Sequence, residues 1–179
     1  MTTTVGFQSK YSWCLVVAAV VVLCTVLCTP ALVRAQAVKP PTPTTVKVGA
    51  TASGAQVYSA TCAACHQADG AGLPEKYPPL ASSAFVTGDE QRLIHIVLRG
   101  LTGDIEVEGE TFKGEMPGWA PALNNAQVAA VLTHIRKSFG NNAAPVTAAM
   151  VAKIRAASAM RKKPYTAPEL AKLRASVAK

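Results

Sequence analysis

Aromatic side chains are scarce in this sequence and make up 6% of its 179 residues. A nucleic-acid surface that stacks bases on aromatic rings is therefore not expected. Cysteine is limited to five residues, and only Cys62 and Cys65 lie outside the first thirty positions. One pair of thiols is too few for a disulfide-rich scaffold. The sequence also lacks an internal repeat, which excludes a solenoid or a propeller.

Acidic residues are nearly absent from the last part of the chain. Residues 147–179 carry eight Lys and Arg against Glu169 alone, whereas residues 49–146 carry six against nine Asp and Glu. The formal net charge of +8 therefore hides an acidic body and a basic tail.

Charged residues are missing from residues 11–33, an apolar stretch that follows Lys10. The small-residue pattern Ala35-Gln36-Ala37 comes next. This order is typical of an export signal, so residues 1–37 are predicted to be a signal peptide. The alternative is a membrane anchor, because residues 11–33 are long enough to cross a bilayer. Residues 38–48, rich in Pro and Thr, are predicted to be a linker to a domain at 49–146.

Three helices are predicted in this domain, over residues 53–65, 89–99 and 125–139. Residues 105–112 favour a short hairpin that turns at Gly109-Glu110. The connection over residues 67–88 contains three prolines and is predicted to be irregular. In the tail, one helix is expected around Met150–Ala157, and a second after a capping box of Thr166 and Glu169.

The motif Cys62-Ala63-Ala64-Cys65-His66 carries the chemistry. Two thiols three residues apart at a helix end can both add to the vinyl groups of one porphyrin, and the next histidine can then ligate the iron. The motif therefore predicts covalent attachment of one haem c. The alternatives for this motif are a zinc site, a thioredoxin-like redox pair and a local disulfide. Zinc would need further ligands, and the redox pair would need a preceding strand.

Met116 is the candidate for the second axial ligand, because it is the only methionine of residues 49–146 and is followed by Pro117 in a predicted loop. Its soft thioether would raise the reduction potential. His95 and His134 compete for this role, although both lie on predicted helices.

These motifs resemble those of a class I cytochrome c domain, found in small periplasmic carriers and in cytochrome subunits of membrane dehydrogenases and oxidases. Gly54 and Tyr58 precede the motif as in that family, and Pro78-Pro79-Leu80 resembles its Pro-x-Leu loop. The resemblance implies that the Pro78 carbonyl accepts a hydrogen bond from His66, that Leu80 lies at the haem, and that Trp119 borders the Met116 loop. The resemblance also implies an aromatic residue at position 134. This chain has His134 there, so it departs from the family pattern at this position.

The expected fold class is all-α: a cytochrome c-like fold of three main helices around one covalently bound haem, with a helical C-terminal extension. Tyr58, Arg99 and Trp119 are expected to hydrogen-bond the haem propionates. With iron ligated by His66 and Met116, the expected function is one-electron transfer rather than catalysis. A haem enzyme or gas sensor with an open coordination site is the alternative.

The expected partners are redox proteins: a dehydrogenase or quinol-oxidising donor, and an oxidase or reductase acceptor. The expected location is the periplasm, and nucleic acid is not an expected partner.

The basic tail at 147–179 has two interpretations: a solvated extension that packs on the domain or stays disordered, or a docking surface for an acidic partner or an anionic membrane.

Overall fold

The computed structural model describes residues 47–177, with side chains to residue 173. The predicted signal or anchor at 1–37 and most of the linker at 38–48 lie outside these residues. The described part contains seven helices and two strands. They are α1 (Gly54–Thr61), α2 (Ala63–His66), α3 (Ala84–Thr87), α4 (Glu90–Arg99), β1 (Gly100–Val107), β2 (Glu110–Pro117), α5 (Asn125–Lys137), α6 (Ala148–Ala157) and α7 (Ala167–Val177).

Capping residues fix where the main helices begin. Ser53 and Gln56 form a reciprocal capping box at α1, as do Asn124 and Gln127 at α5. Asp89 accepts a hydrogen bond from the Gln91 amide at the start of α4. These side chains satisfy amides that have no partner inside the helix. The three predicted helices are therefore present, although Cys62 interrupts the first and the third ends at Lys137.

The all-α prediction is wrong, because β1 and β2 form an antiparallel hairpin between α4 and α5. The hairpin predicted at 105–112 is present but longer, pairing Gly100 with Pro117 at its open end. Its turn lies at Glu108-Gly109, one residue earlier than predicted. Both residues have positive φ, 52° and 80°, as a two-residue turn of type I′ requires. The glycines and charged residues along both strands weaken the sequence signal for this pairing.

Helices α1 and α5 cross at Gly54, and this crossing anchors the main core. A Cβ at Gly54 would collide with the Ala130 carbonyl and lie 2.7 Å from the His134 Cβ. Only glycine therefore permits the close approach of the two backbones. The core continues from this crossing to α4 and α6, and its fully enclosed side chains include Val57, Ile94, Leu98, Val128, Val131, Leu132 and Val151.

Both tail helices pack on the body. The Arg155 guanidinium of α6 donates to the Ala120 and Leu123 carbonyls, each at 2.7 Å. Tyr165, just before α7, pairs with Leu101 on the outer edge of β1. No helix between residues 47 and 177 has both the length and the apolar character needed to span a membrane.

Candidate functional site

The two cysteines and His66 share one face of a short helical segment. The backbone amide of Cys62 donates to the Tyr58 carbonyl at 2.8 Å, and the amide of His66 donates to the Cys62 carbonyl at 2.9 Å. Positions i, i+3 and i+4 lie on one side of such a helix. Gln67 then ends the segment with φ of 63°.

The His66 ring is fixed by a hydrogen bond to a backbone carbonyl. Its Nδ1 lies 2.9 Å from the Pro78 carbonyl oxygen. Because a carbonyl can only accept, Nδ1 carries the proton and Nε2 keeps its lone pair. Burial also lowers the pKa of His66, although the hydrogen bond to Pro78 opposes this shift. The site thus holds a neutral imidazole with one nitrogen free to ligate a metal.

The loop that carries Pro78 is held from outside by Asn141, a buried side chain. Its Nδ2 donates to the carbonyls of Leu80 and Ile135, each at 3.0 Å, and its Oδ1 accepts from the Ser82 amide at 2.9 Å. The Leu80 amide donates to the Gly70 carbonyl at 2.8 Å. An irregular loop is therefore kept in one conformation by a fully bonded amide.

Two cavities adjoin this motif, with volumes of about 640 and 940 Å³ including the parts open to solvent. Both are lined by His66 and Met116. Cys62 and Leu80 line the smaller cavity, and Cys65 lines the larger one. The other lining side chains are mainly apolar and include Leu93, Ile96, Val97, Leu101, Ile105, Phe112, Val131 and Ile135.

Met116 lies on β2 rather than in a loop, so that part of the prediction is wrong. In the hairpin it pairs with Leu101 of β1. The strand brings the methionine to the same two cavities as His66, although fifty positions separate the two residues in the sequence.

The residues of this site fit a haem c. The lining of both cavities is mainly apolar, as a porphyrin requires. Imidazole nitrogen and thioether sulfur are the iron ligands of cytochromes c. Two thiols that adjoin the cavities are available for thioether bonds.

The alternative roles of the Cys-x-x-Cys pair lack support in the described residues. Both cysteines are free, so they do not form a disulfide. Burial raises the pKa of Cys62 to about 11 and also raises that of Cys65, which disfavours a reactive redox thiolate. Helix α1, not a strand, precedes the motif. No group of three or more His, Cys, Asp or Glu within residues 47–177 has a metal-binding arrangement.

The structure does not bring the expected propionate ligands to the two cavities. The Arg99 guanidinium donates instead to the Ser158 hydroxyl at 3.0 Å and to the Arg155 carbonyl at 3.2 Å. The Tyr58 hydroxyl donates to the Gln67 carbonyl at 2.6 Å. Trp119 is buried in the main core. None of the three lines either cavity.

The two competing histidines also lie away from these cavities. His134 packs against the rings of Tyr58 and Phe139, as the expected aromatic residue would. Its Nδ1 lies 3.2 Å from the Ser138 hydroxyl, which gives the polar ring a partner. His95 makes an edge-on contact with the Tyr165 ring.

Sequence reasoning missed four residues that support the site: Leu101, Asn141, Tyr165 and Leu170. Asn141 holds the Pro78 loop, and the other three belong to an apolar cluster against which Met116 packs. The sequence signal for this segment is the capping box of Thr166 and Glu169, which predicts a helix but not the surface that the helix contacts.

Comparison with known proteins gives consistent matches to this part of the chain. A family model described as cytochrome c oxidase, cbb3-type, subunit III matches residues 49–135. Two cytochromes c-552 of Thermus thermophilus are 42% identical to the chain over 96 and 94 residues. The gluconate 2-dehydrogenase cytochrome c subunit of Pantoea cypripedii is 45% identical over 101 residues. The cytochrome c subunit of a quinone-dependent alcohol dehydrogenase of Gluconacetobacter polyoxogenes is 37% identical over 117 residues.

The matches cover the relatives unequally. The aligned residues are 51% and 50% of this chain and span 64% and 70% of the two cytochromes c-552. They are 54% and 63% of this chain for the two dehydrogenase subunits, but span only 22% and 25% of those proteins.

Proposed function

Because the chain belongs to the cytochrome c family, whose members are electron-transfer proteins with covalently bound haem c, we propose that it is a one-electron carrier with a single haem. Cys62 and Cys65 hold the haem through thioether bonds. When bound, the haem supplies the reversible couple of ferric and ferrous iron.

His66 and Met116 are the two axial ligands in this proposal. The observation that carries it is that both side chains line the same two apolar cavities, beside the two cysteines. Pro78 fixes the His66 tautomer so that Nε2 is the ligating atom. A thioether in the second position favours the ferrous state and leaves no open position for a substrate.

The apolar lining has a second consequence for electron transfer. Leu80, Leu93, Val97, Ile105 and Phe112 exclude water and have no charge to reorient. A change of iron charge then requires little reorganisation of the surroundings. The chain's own contribution is thus to hold both ligands and to limit the water around them.

We place the carrier between a dehydrogenase or quinol-oxidising donor and an oxidase or reductase acceptor, on the exported side of a membrane. The relatives named as dehydrogenase subunits support a fixed subunit, and a free shuttle is the alternative. Residues 1–37 serve as a cleaved signal, or residues 11–33 as an anchor. The mass of the chain purified from a host that exports it distinguishes the two.

The Met116→Ala substitution tests the carrier against a haem enzyme or gas sensor. The wild type should show the sulfur-to-iron absorption band of the ferric protein and should not bind carbon monoxide when reduced. The variant should lose the band and bind carbon monoxide, because without the thioether the iron has an open position or one that holds only exchangeable water. Ready binding of carbon monoxide by the wild type would contradict the proposal and favour the sensor.

A further inference from the structure

Met116 belongs to a ladder of three residues that reaches the C-terminal tail. Leu101 of β1 pairs with Met116 on one side and with Tyr165 on the other. On the tail side, the Thr102 amide donates to the Tyr165 carbonyl at 2.8 Å and the Tyr165 amide donates to the Gly100 carbonyl at 3.0 Å. Paired residues on adjacent strands present their side chains on the same face. The tail residue therefore supports the strand that supports Met116.

Two side chains of this ladder, Leu101 and Tyr165, belong to a second buried cluster, and Met116 packs against both this cluster and the main core. Ile96, Leu101, Tyr165 and Leu170 are buried together, and Leu170 is 2% exposed. Met116, Phe85 and Ile105 pack against them. Two of the four buried members come from the tail, so the tail supplies part of the packing behind the proposed ligand.

The tail segment is held rigidly where it meets this cluster. Glu169 accepts hydrogen bonds from the Thr166 amide at 2.8 Å and from the Arg161 guanidinium at 2.7 Å. The Arg161 guanidinium also lies over the Tyr165 ring, 3.8 Å from its centroid. These contacts fix the entry into α7, and α7 in turn presents Leu170 to the cluster.

We propose that residues 164–170, which we call the clamp, position Met116 as the axial ligand. The inference rests on the proposed function, since it concerns the residue that ligates iron there. Because Met116 lies on β2, its release requires β2 to shift against Leu101 of β1, which is paired on its other side with Tyr165 of the clamp. Loss of packing at Leu170 lowers the free energy of that release, so external ligands reach the iron more easily.

The test compares Leu170→Ala with Ile154→Ala in the full-length haem-loaded chain. Ile154 is a buried residue of the neighbouring tail helix α6, and its substitution by alanine removes the same number of carbon atoms. It belongs to the main core rather than to the second cluster, which contains Leu170. The probe is imidazole, titrated into the ferric protein. Leu170→Ala should raise its association constant about tenfold, which corresponds to ~1.4 kcal/mol, and Ile154→Ala should leave it within about twofold.

Two further measurements separate positioning from general loss of stability. Amide hydrogen exchange at Thr102 should accelerate in Leu170→Ala but not in Ile154→Ala. Tyr165→Phe keeps the ring and should bind imidazole as the wild type does. If Leu170→Ala folds poorly, Leu170→Val takes its place and should raise the association constant in the same direction by a smaller factor. Equal imidazole binding by the two alanine variants would overturn the clamp.

Failure of the proposed function gives a different result. If the wild type lacks the sulfur-to-iron band and Met116→Ala does not change the imidazole titration, Met116 is not a ligand. If the band is present and depends on Met116, but Leu170→Ala leaves the imidazole association constant unchanged, only the proposal for the clamp is wrong.

Discussion

At the scale of single residues, the state of His66 depends on a backbone oxygen whose position Asn141 controls. The Pro78 carbonyl can orient the imidazole only while the loop around it stays in place. Asn141 ties that loop to Ile135 of α5 through three hydrogen bonds made by one buried amide. A side chain that lines neither cavity thus acts on the proposed haem ligand.

We therefore predict that Asn141→Ala shifts the reduction potential as well as stability. It leaves the Leu80 carbonyl and the Ser82 amide without this partner, which should lower the free energy of unfolding by ~1–3 kcal/mol. A loosened Pro78 contact makes the imidazole less basic, stabilises ferric iron less, and should raise the potential. Denaturant titration and redox titration measure the two effects. The exposed neighbour gives the control Asn142→Ala, and an unchanged potential in Asn141→Ala would contradict the argument.

The sequence predicts residues whose roles depend on local spacing, and fails for residues whose partners are distant. The helical spacing of Cys62, Cys65 and His66 is encoded within five positions. Arg99, by contrast, has a hydrogen-bonding side chain that suits several partners, and its actual partner, Ser158, lies 59 positions away. No local pattern indicates that the tail competes for this guanidinium.

At the scale of elements, the crossing of α1 and α5 determines where the haem motif lies. Helix α1 leads directly into Cys62, so its angle against α5 sets the position of both thiols and of His66. Gly54 is the point at which the two backbones come closest. A side chain there forces the helices apart.

Gly54→Ala should lower the free energy of unfolding by ~1–3 kcal/mol, because its methyl group would overlap the Ala130 carbonyl. It should also reduce the yield of covalently loaded protein, since the thiols would be displaced. Gly49→Ala is the matched control, because a Cβ at Gly49 meets nothing within 4 Å. Denaturant titration and haem content per chain check both expectations, and equal values for the two variants would argue against the crossing as the anchor.

Element types follow from the sequence where apolar periodicity and caps agree, as for α4 and α5. The hairpin was partly predictable, because the alternation at Ile105 and Val107 is visible. Its full length was not, because pairing across Gly103 and Gly114 depends on backbone bonds and on the tail beside β1. Because the pairing extends to the open end of the hairpin, Met116 lies on a strand instead of in a loop.

At the scale of the whole molecule, the tail is part of the folded body in the residues that the structure describes. Two of its arginines make contacts inside the chain. Arg155 donates hydrogen bonds to three groups in or just before α5, and Arg161 forms an ion pair with Glu169. Opposite charge remains on the hairpin, which carries Asp104, Glu106, Glu108, Glu110 and Glu115. The molecule therefore presents both signs of charge at its surface, where the proposed redox partners would dock.

The intact mass of the chain, produced in a host that attaches haem c, tests the central claim most directly. The wild type should carry the added mass of one haem that survives denaturation, because thioether bonds resist unfolding. The double substitution of Cys62→Ala and Cys65→Ala should carry none. A wild-type chain with the mass of the polypeptide alone would contradict the account, as would a mass increase that persists without both thiols.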